Sequence, residues 1–157
     1  MTTRQAFTAE EWRSLAHTPT ETMLAVIVTS YGGNRREFRS LRRTLEREAA
    51  EARTELGTEL SGFVAVNAHR LIRDAVDGDL HRPVAQARAL DHCRESTSIL
   101  RSKAAPAERT EVGQYVLSCA ETTAHTARAG LFGTGPRVGR AEARFLEQVA
   151  DALDVSR

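Results

Sequence analysis

Lysine, cysteine and aromatic residues are all scarce in this chain, and each shortage closes off a class of function. Only Lys103 among 22 basic residues is a lysine; arginine carries the rest, and its GC-favoured codons explain the skew as ancestry rather than phosphate recognition. Cysteine occurs twice, at Cys93 and Cys119, too few and too far apart for a zinc pattern or a disulfide framework. An excess of one charge is missing as well. The 22 basic and 21 acidic residues leave a formal +1, which gives no global field for nucleic acid or a membrane surface. The longest aliphatic run, Met23 to Val28, is far below the roughly 20 residues of a bilayer span. The opening MTTRQAFTAEEW is charged and lacks the apolar stretch of a signal peptide. These shortages predict a cytoplasmic protein with no cofactor and no membrane partner, and they disfavour nucleic acid.

What is present is helical periodicity. No stretch alternates apolar and polar residues over five or more positions, so the reading is an all-α, single-domain bundle of about seven helices spanning 1–157. At this length about two-thirds of the unfolded surface can be buried without disulfides or metal. Phe7-Thr8-x-x-Glu11 combines an apolar residue, an N-cap threonine and a glutamate at N3, which predicts a short first helix over 8–17. Thr18-Pro19-x-Glu21 repeats the device and starts a second, central helix through Met23 to Val28. Asn34 caps a third, whose stripe runs Phe38, Leu41, Leu45, Ala49, Ala52, Leu56 before Gly57 closes or bends it. A fourth follows from Thr58 through Leu60, Phe63, Val64, Leu71 and Val76, stopped by Asp77-Gly78-Asp79. Pro83 opens a fifth through Val84, Ala87, Leu90 and Ile99 or Leu100; Pro106 opens a sixth through Val112, Tyr115, Val116 and Cys119. The glycine-rich turn 130–139 then leads to a seventh, carrying Phe145, Leu146, Val149 and Leu153. Abundant alanine and few aromatics predict close helix packing rather than a large ligand cavity.

The segment GLFGTGPRVGRAEARFLEQVADALDV, together with FTAEEW and IVTSYGGNRREFRSLRRTL, resembles a family of uncharacterised bacterial all-helical proteins over about half the chain. More distantly, SYGGNRREF and GTGPRVGRAEARF resemble the two halves of the tellurite-resistance-type helical domain, whose acidic Asp-Gly turns imply a metal. Here those turns carry Asn34, Arg35, Arg36, Arg137 and Arg140. The inverted charge repels a divalent cation, so the resemblance implies a fold without the metal function.

Four candidate sites follow. Gly133, Gly135 and Gly139 with Arg137 and Arg140 could hold an anion on free backbone N–H groups, although a tight interhelical turn needs the same glycines; without a preceding strand it is no dinucleotide fingerprint. On the third helix Arg35, Arg36, Arg39, Arg43 and Arg47 lie opposite the apolar stripe, broken only by Glu46, a face for phosphates or for solvent. His92-x-x-Glu95 and Glu121-x-x-x-His125 each put two ligands on one helix face, and a metal site forms if the fifth and sixth helices bring all four together. Cys93 beside His92 is no catalytic pair, because helix neighbours point about 100° apart. Ser118, Thr122, Thr123 and Thr126 read as a polar outer face. With no workable catalytic constellation, the expected function is a non-enzymatic bundle acting through protein contacts, as a homo-oligomer or with another protein. Trp12, Leu131 and Phe132 would supply its exposed apolar patch. An anion- or nucleic-acid-binding module and a bundle metal site are the alternatives.

Overall fold

A computed structural model of the chain describes residues 1–31, 35–76, 81–132 and 139–157, with side chains described outside 30–40 and 127–138. The fold is an all-α bundle. A single 3₁₀ turn, Arg4–Ala6, leads into α1 (Ala9–Tyr31), α2 (Arg35–Ala49), α3 (Glu55–Val66), α4 (Ala68–Val76), α5 (Arg82–Lys103), α6 (Pro106–Phe132) and α7 (Arg140–Leu153). Among the described residues no helix is long and apolar enough to cross a membrane.

The first helix starts where the sequence places it. The Glu11 N–H donates to the Thr8 hydroxyl at 3.2 Å while the Glu11 carboxylate accepts the Thr8 N–H at 2.7 Å, and buried Phe7 precedes the cap. It does not stop near His17. Pro19, expected at N1 of a second helix, lies inside α1, which runs unbroken to Tyr31. A mid-helix proline removes one hydrogen bond and costs about 3 kcal/mol. Here the following turns, Met23 to Val28, are all buried, and ending the helix would strand their backbone polar groups away from water. Threonine hydroxyls reinforce the region, donating from Thr18 to the Ser14 carbonyl at 2.9 Å and from Thr22 to the Thr18 carbonyl at 2.7 Å. Tertiary burial therefore overrides the local start signal.

The expected third and fourth helices are also redrawn. α2 ends at Ala49, and α3 begins with Thr54 as N-cap, its hydroxyl accepting the Gly57 N–H at 3.0 Å. Gly57 is thus in the first turn of α3 rather than at the end of a helix. A Cβ there would sit 2.9 Å from the Glu111 carboxyl group, so the glycine leaves room for Glu111 of α6 to reach over the α3 N-terminus. The Glu111 carboxylate accepts the N–H groups of Arg53 and of Thr54, the latter at 2.8 Å. Asn67 then divides the predicted fourth helix into α3 and α4, its backbone and side-chain N–H groups both donating to the Phe63 carbonyl. The total of seven survives because one pair of expected helices fuses and one splits.

Glu111→Ala is expected to cost about 1–2 kcal/mol, as it unsatisfies donors at a helix start. Burial pushes the Glu111 carboxyl up, but the bonds from Thr54 and Arg53 push it further down, so it titrates below its ordinary 4.5. Its contribution is present above 4.5 and is lost as pH falls through the lowered value. Urea unfolding of wild type and variant should therefore differ at neutral pH and converge in acid. An equal difference at both would show that the carboxylate is not the capping group.

α1 packs most extensively on α5 and α6 and contributes to two apolar clusters. Leu15, Met23 and Ile27 join Leu41, Leu45, Leu56 and Leu60 in one; Ala25 and Val26 join the alanines of α5 and α6 and the α7 residues Phe145, Leu146 and Val149 in the other. The inner face of α5 is Ala85, Ala89, Cys93, Ser96 and Leu100, not Val84 and Ala87, which are exposed. Small residues let α1 and α5 approach closely, and their hydroxyls bond across the seam, Thr18 to Ser96 at 2.6 Å. Thr123 of α6 is also buried, donating to the Cys119 carbonyl at 2.7 Å, so the hydroxyl-rich stretch is not wholly an outer face.

Candidate functional site

A surface feature that combines volume, charge and aromatic surface lies at the start of α1. The 3₁₀ turn, α1, α3 and α4 enclose a groove of about 710 Å³. Its floor is aromatic. The Trp12 ring lies 6.0 Å from that of Phe7 and 5.8 Å, edge-on, from that of Phe63, and Leu71 and Ala16 complete the apolar surface. The Arg4 guanidinium lies over Trp12 at 5.6 Å and over Phe63 at 5.4 Å, a stacked cation on two ring faces. Its backbone N–H is tied to Glu59 of α3 at 2.6 Å.

Trp12, expected as an exposed contact residue, is only 4% exposed. The charged residues beside it in sequence face out while Phe63, from a later segment, covers it. Its Nε1–H is shielded from water yet has no hydrogen-bond partner. Such a group costs about 1–3 kcal/mol unless an acceptor is supplied. Arg13, His17, Arg70 and Asp74 stand on the walls. The side chains of Arg13 and Arg70 have no hydrogen bond or ion pair among the described residues. Asp74 lies 3.9 Å from Arg73. Burial lowers the His17 pKa; Asp74 opposes this, while His92, Arg13 and Arg70 add to it, so His17 is neutral at physiological pH. Three guanidinium groups thus face one carboxylate. In a second surface depression, between α5 and α7, the arginines Arg94 and Arg101 are instead held by Asp91 and Asp154, each at 2.9 Å.

The four sites expected from sequence fare differently. Gly133, Gly135 and Arg137 lie outside the described residues; Gly139 precedes α7, and its N–H donates to the Glu142 carboxylate at 2.7 Å, so that donor already has an anionic partner. Arg140 is exposed. On α2, Arg35, Arg36 and Arg39 are helical but their side chains lie outside the described set; Arg43 is exposed, and Arg47 is engaged by Glu48 and Thr122, each at 3.1 Å. Leu131 and Phe132 end α6, again without described side chains.

The proposed metal quartet is not brought together. Among the described residues no group of three or more His, Cys, Asp or Glu is placed to hold an ion. Both α5 and α6 turn mainly to α1. His92 sits beside Arg88 and Asp91, Glu95 and His125 are exposed, and Glu121 pairs with Arg157 at 2.8 Å. Burial pushes the Cys93 thiol up to about 11 and the Cys119 thiol higher still. Neither is a thiolate at neutral pH, and neither can act as a nucleophile there.

The groove itself was invisible to a linear reading. Arg4, Trp12, Phe63 and Arg70 come from four elements, and the turn at Asn67 that brings Phe63 and Arg70 to one wall carries no glycine or proline. Comparison with protein-family models, curated proteins and solved structures finds no match for this chain.

Proposed function

We propose that this chain is a non-catalytic binding protein and that the groove over Trp12 is where it takes a small organic ligand. The observation that carries this reading is a groove of about 710 Å³ whose aromatic floor of Phe7, Trp12 and Phe63 is walled by Arg4, Arg13 and Arg70, an apolar concavity with a few convergent polar groups. The inert thiols and the dispersed titratable groups favour binding over chemistry. The protein-contact reading, with self-association, has lost Trp12 and rests on Leu131 and Phe132. The large apolar side chains exposed among the described residues, Met1, Val66 and Val84, come from separate elements.

Trp12 is the only tryptophan, so its emission reports on the groove directly. Titrating the full chain with a panel of small aromatic and aliphatic compounds, neutral and charged, is expected to give a saturable change in that emission and a rise in thermal midpoint with the same members. An emission and a midpoint that stay flat across the panel at millimolar concentration would overturn the reading.

A further inference from the structure

We infer that the ligand of the Trp12 groove is a small organic monoanion, with an apolar body against the half-buried Phe63 and a carboxylate received by Arg13 and Arg70. The inference rests on the groove being the binding site and adds the chemical class of what enters it. Three observations lead there. First, the walls carry an excess of positive charge: Arg4, Arg13 and Arg70 line the groove with a single acid, Asp74, and Asp74 already has Arg73 within 3.9 Å. Arginines left unpaired on the rim of a partly apolar groove gain most from a carboxylate, which they can bind in a bidentate fork.

Second, a cation is disfavoured on two counts. The faces of Trp12 and Phe63 that would attract it are already covered by the Arg4 guanidinium at 5.6 and 5.4 Å, and the same three arginines repel it. Third, the acid on the wall selects among anions. Asp74 lies on α4, one turn after Arg70, so a doubly charged phosphate held at Arg70 would be brought towards a carboxylate, whereas a monoanion gives up less. The apolar floor then asks for a hydrophobic body on the acid.

The test uses three compounds of one shape and different charge: phenylbutyrate, phenylbutanol and phenylbutylammonium, each titrated into the full chain and followed by Trp12 emission. The carboxylate is expected to bind about tenfold more tightly than the alcohol, the sum of two partly exposed charge-assisted contacts, and the ammonium most weakly. In the double variant Arg13→Ala/Arg70→Ala, both positions being exposed, the carboxylate should fall to the affinity of the alcohol while the alcohol is unchanged. Carboxylate and alcohol saturating with equal affinity would overturn the anion assignment and leave the groove standing as the site. A preference for the carboxylate that survives in the double variant would also overturn it, since the charge would then be read elsewhere. Failure of all three to bind would remove the site and the anion together.

Discussion

Arg88→Ala lowers the stability of the fold by about 3 kcal/mol at neutral pH and by clearly less in acid. The reason is Glu21. It sits in the middle of α1, 7% exposed, with its carboxylate 2.7 Å from the Arg88 Nε. Burial raises the Glu21 pKa above its ordinary 4.5, although the pull of Arg88 and of His92 opposes this. A carboxyl raised in the folded state adds stability that is fully present below 4.5 and is lost as pH rises through the folded value. Removing Arg88 removes a force that keeps Glu21 ionisable, so the folded pKa climbs further and the loss at neutral pH deepens. Below 4.5 Glu21 is protonated in both proteins and the ionic part of the difference disappears. What remains is the second role of Arg88, whose Nη2 donates to the Ala75 carbonyl near the end of α4 at 2.8 Å, a bond worth about 1 kcal/mol. Urea unfolding of both proteins at neutral and acidic pH checks this, and Glu21→Gln in the variant background should recover most of the neutral-pH loss. A difference that does not change with pH would mean that Glu21 is not its origin.

Phe145→Ala is expected to cost about 4 kcal/mol, near the upper part of the range for a buried phenylalanine. Phe145 is 1% exposed and lies in the cluster that includes Ala25, Ala85, Ala89, Ala120 and Ala124. How much a truncation costs depends on how far the neighbours can collapse into the space. Alanines have no side-chain torsion with which to follow, and their helices are held at fixed separation by other contacts, so the cavity stays open. Phe145→Leu keeps much of the volume and should cost only about 1–1.5 kcal/mol. The two midpoints in urea at constant slope give the comparison. If the alanine variant lost no more than the leucine one, the helices would have closed on the gap, and the rigidity ascribed to the alanine-lined core would be wrong.

The parts of the fold legible in the sequence are those where a local group satisfies a local need. Thr8 with Glu11 and the prolines 83 and 106 mark helix starts because the partner of each free N–H, or the lack of an N–H, lies within a few residues. Pro19 carries the same local signature and means something else, since what decides is whether the following turns are buried. Asn67 ends α3 without a breaker residue, through two N–H groups on one carbonyl, a device that an apolar period across it conceals. The start of the inner face of α5 was misplaced for a related reason: Ala85, Ala89 and Ser96 serve a close helix contact as small residues, and a stripe of larger apolar side chains does not count them. The site suffers most. Trp12, flanked by Glu11 and Arg13, reads as exposed until Phe63 is placed 5.8 Å from its ring, and no spacing along the chain announces that contact.

The central position of α1 has a consequence for the order of events during synthesis. Thr18 meets Ser96 across 78 residues, so at about 5–20 residues per second α1 leaves the ribosome about 4–16 s before the helix that covers it. Through that interval Met23 to Val28, an uncharged aliphatic run of the kind that pairs with its own copies as strand, has no permanent cover. Pro19 and Glu21 stand directly before the run, a residue that cannot donate to a sheet ladder and a charge that resists stacking. The proline that costs the finished helix a hydrogen bond thereby guards the unfinished chain.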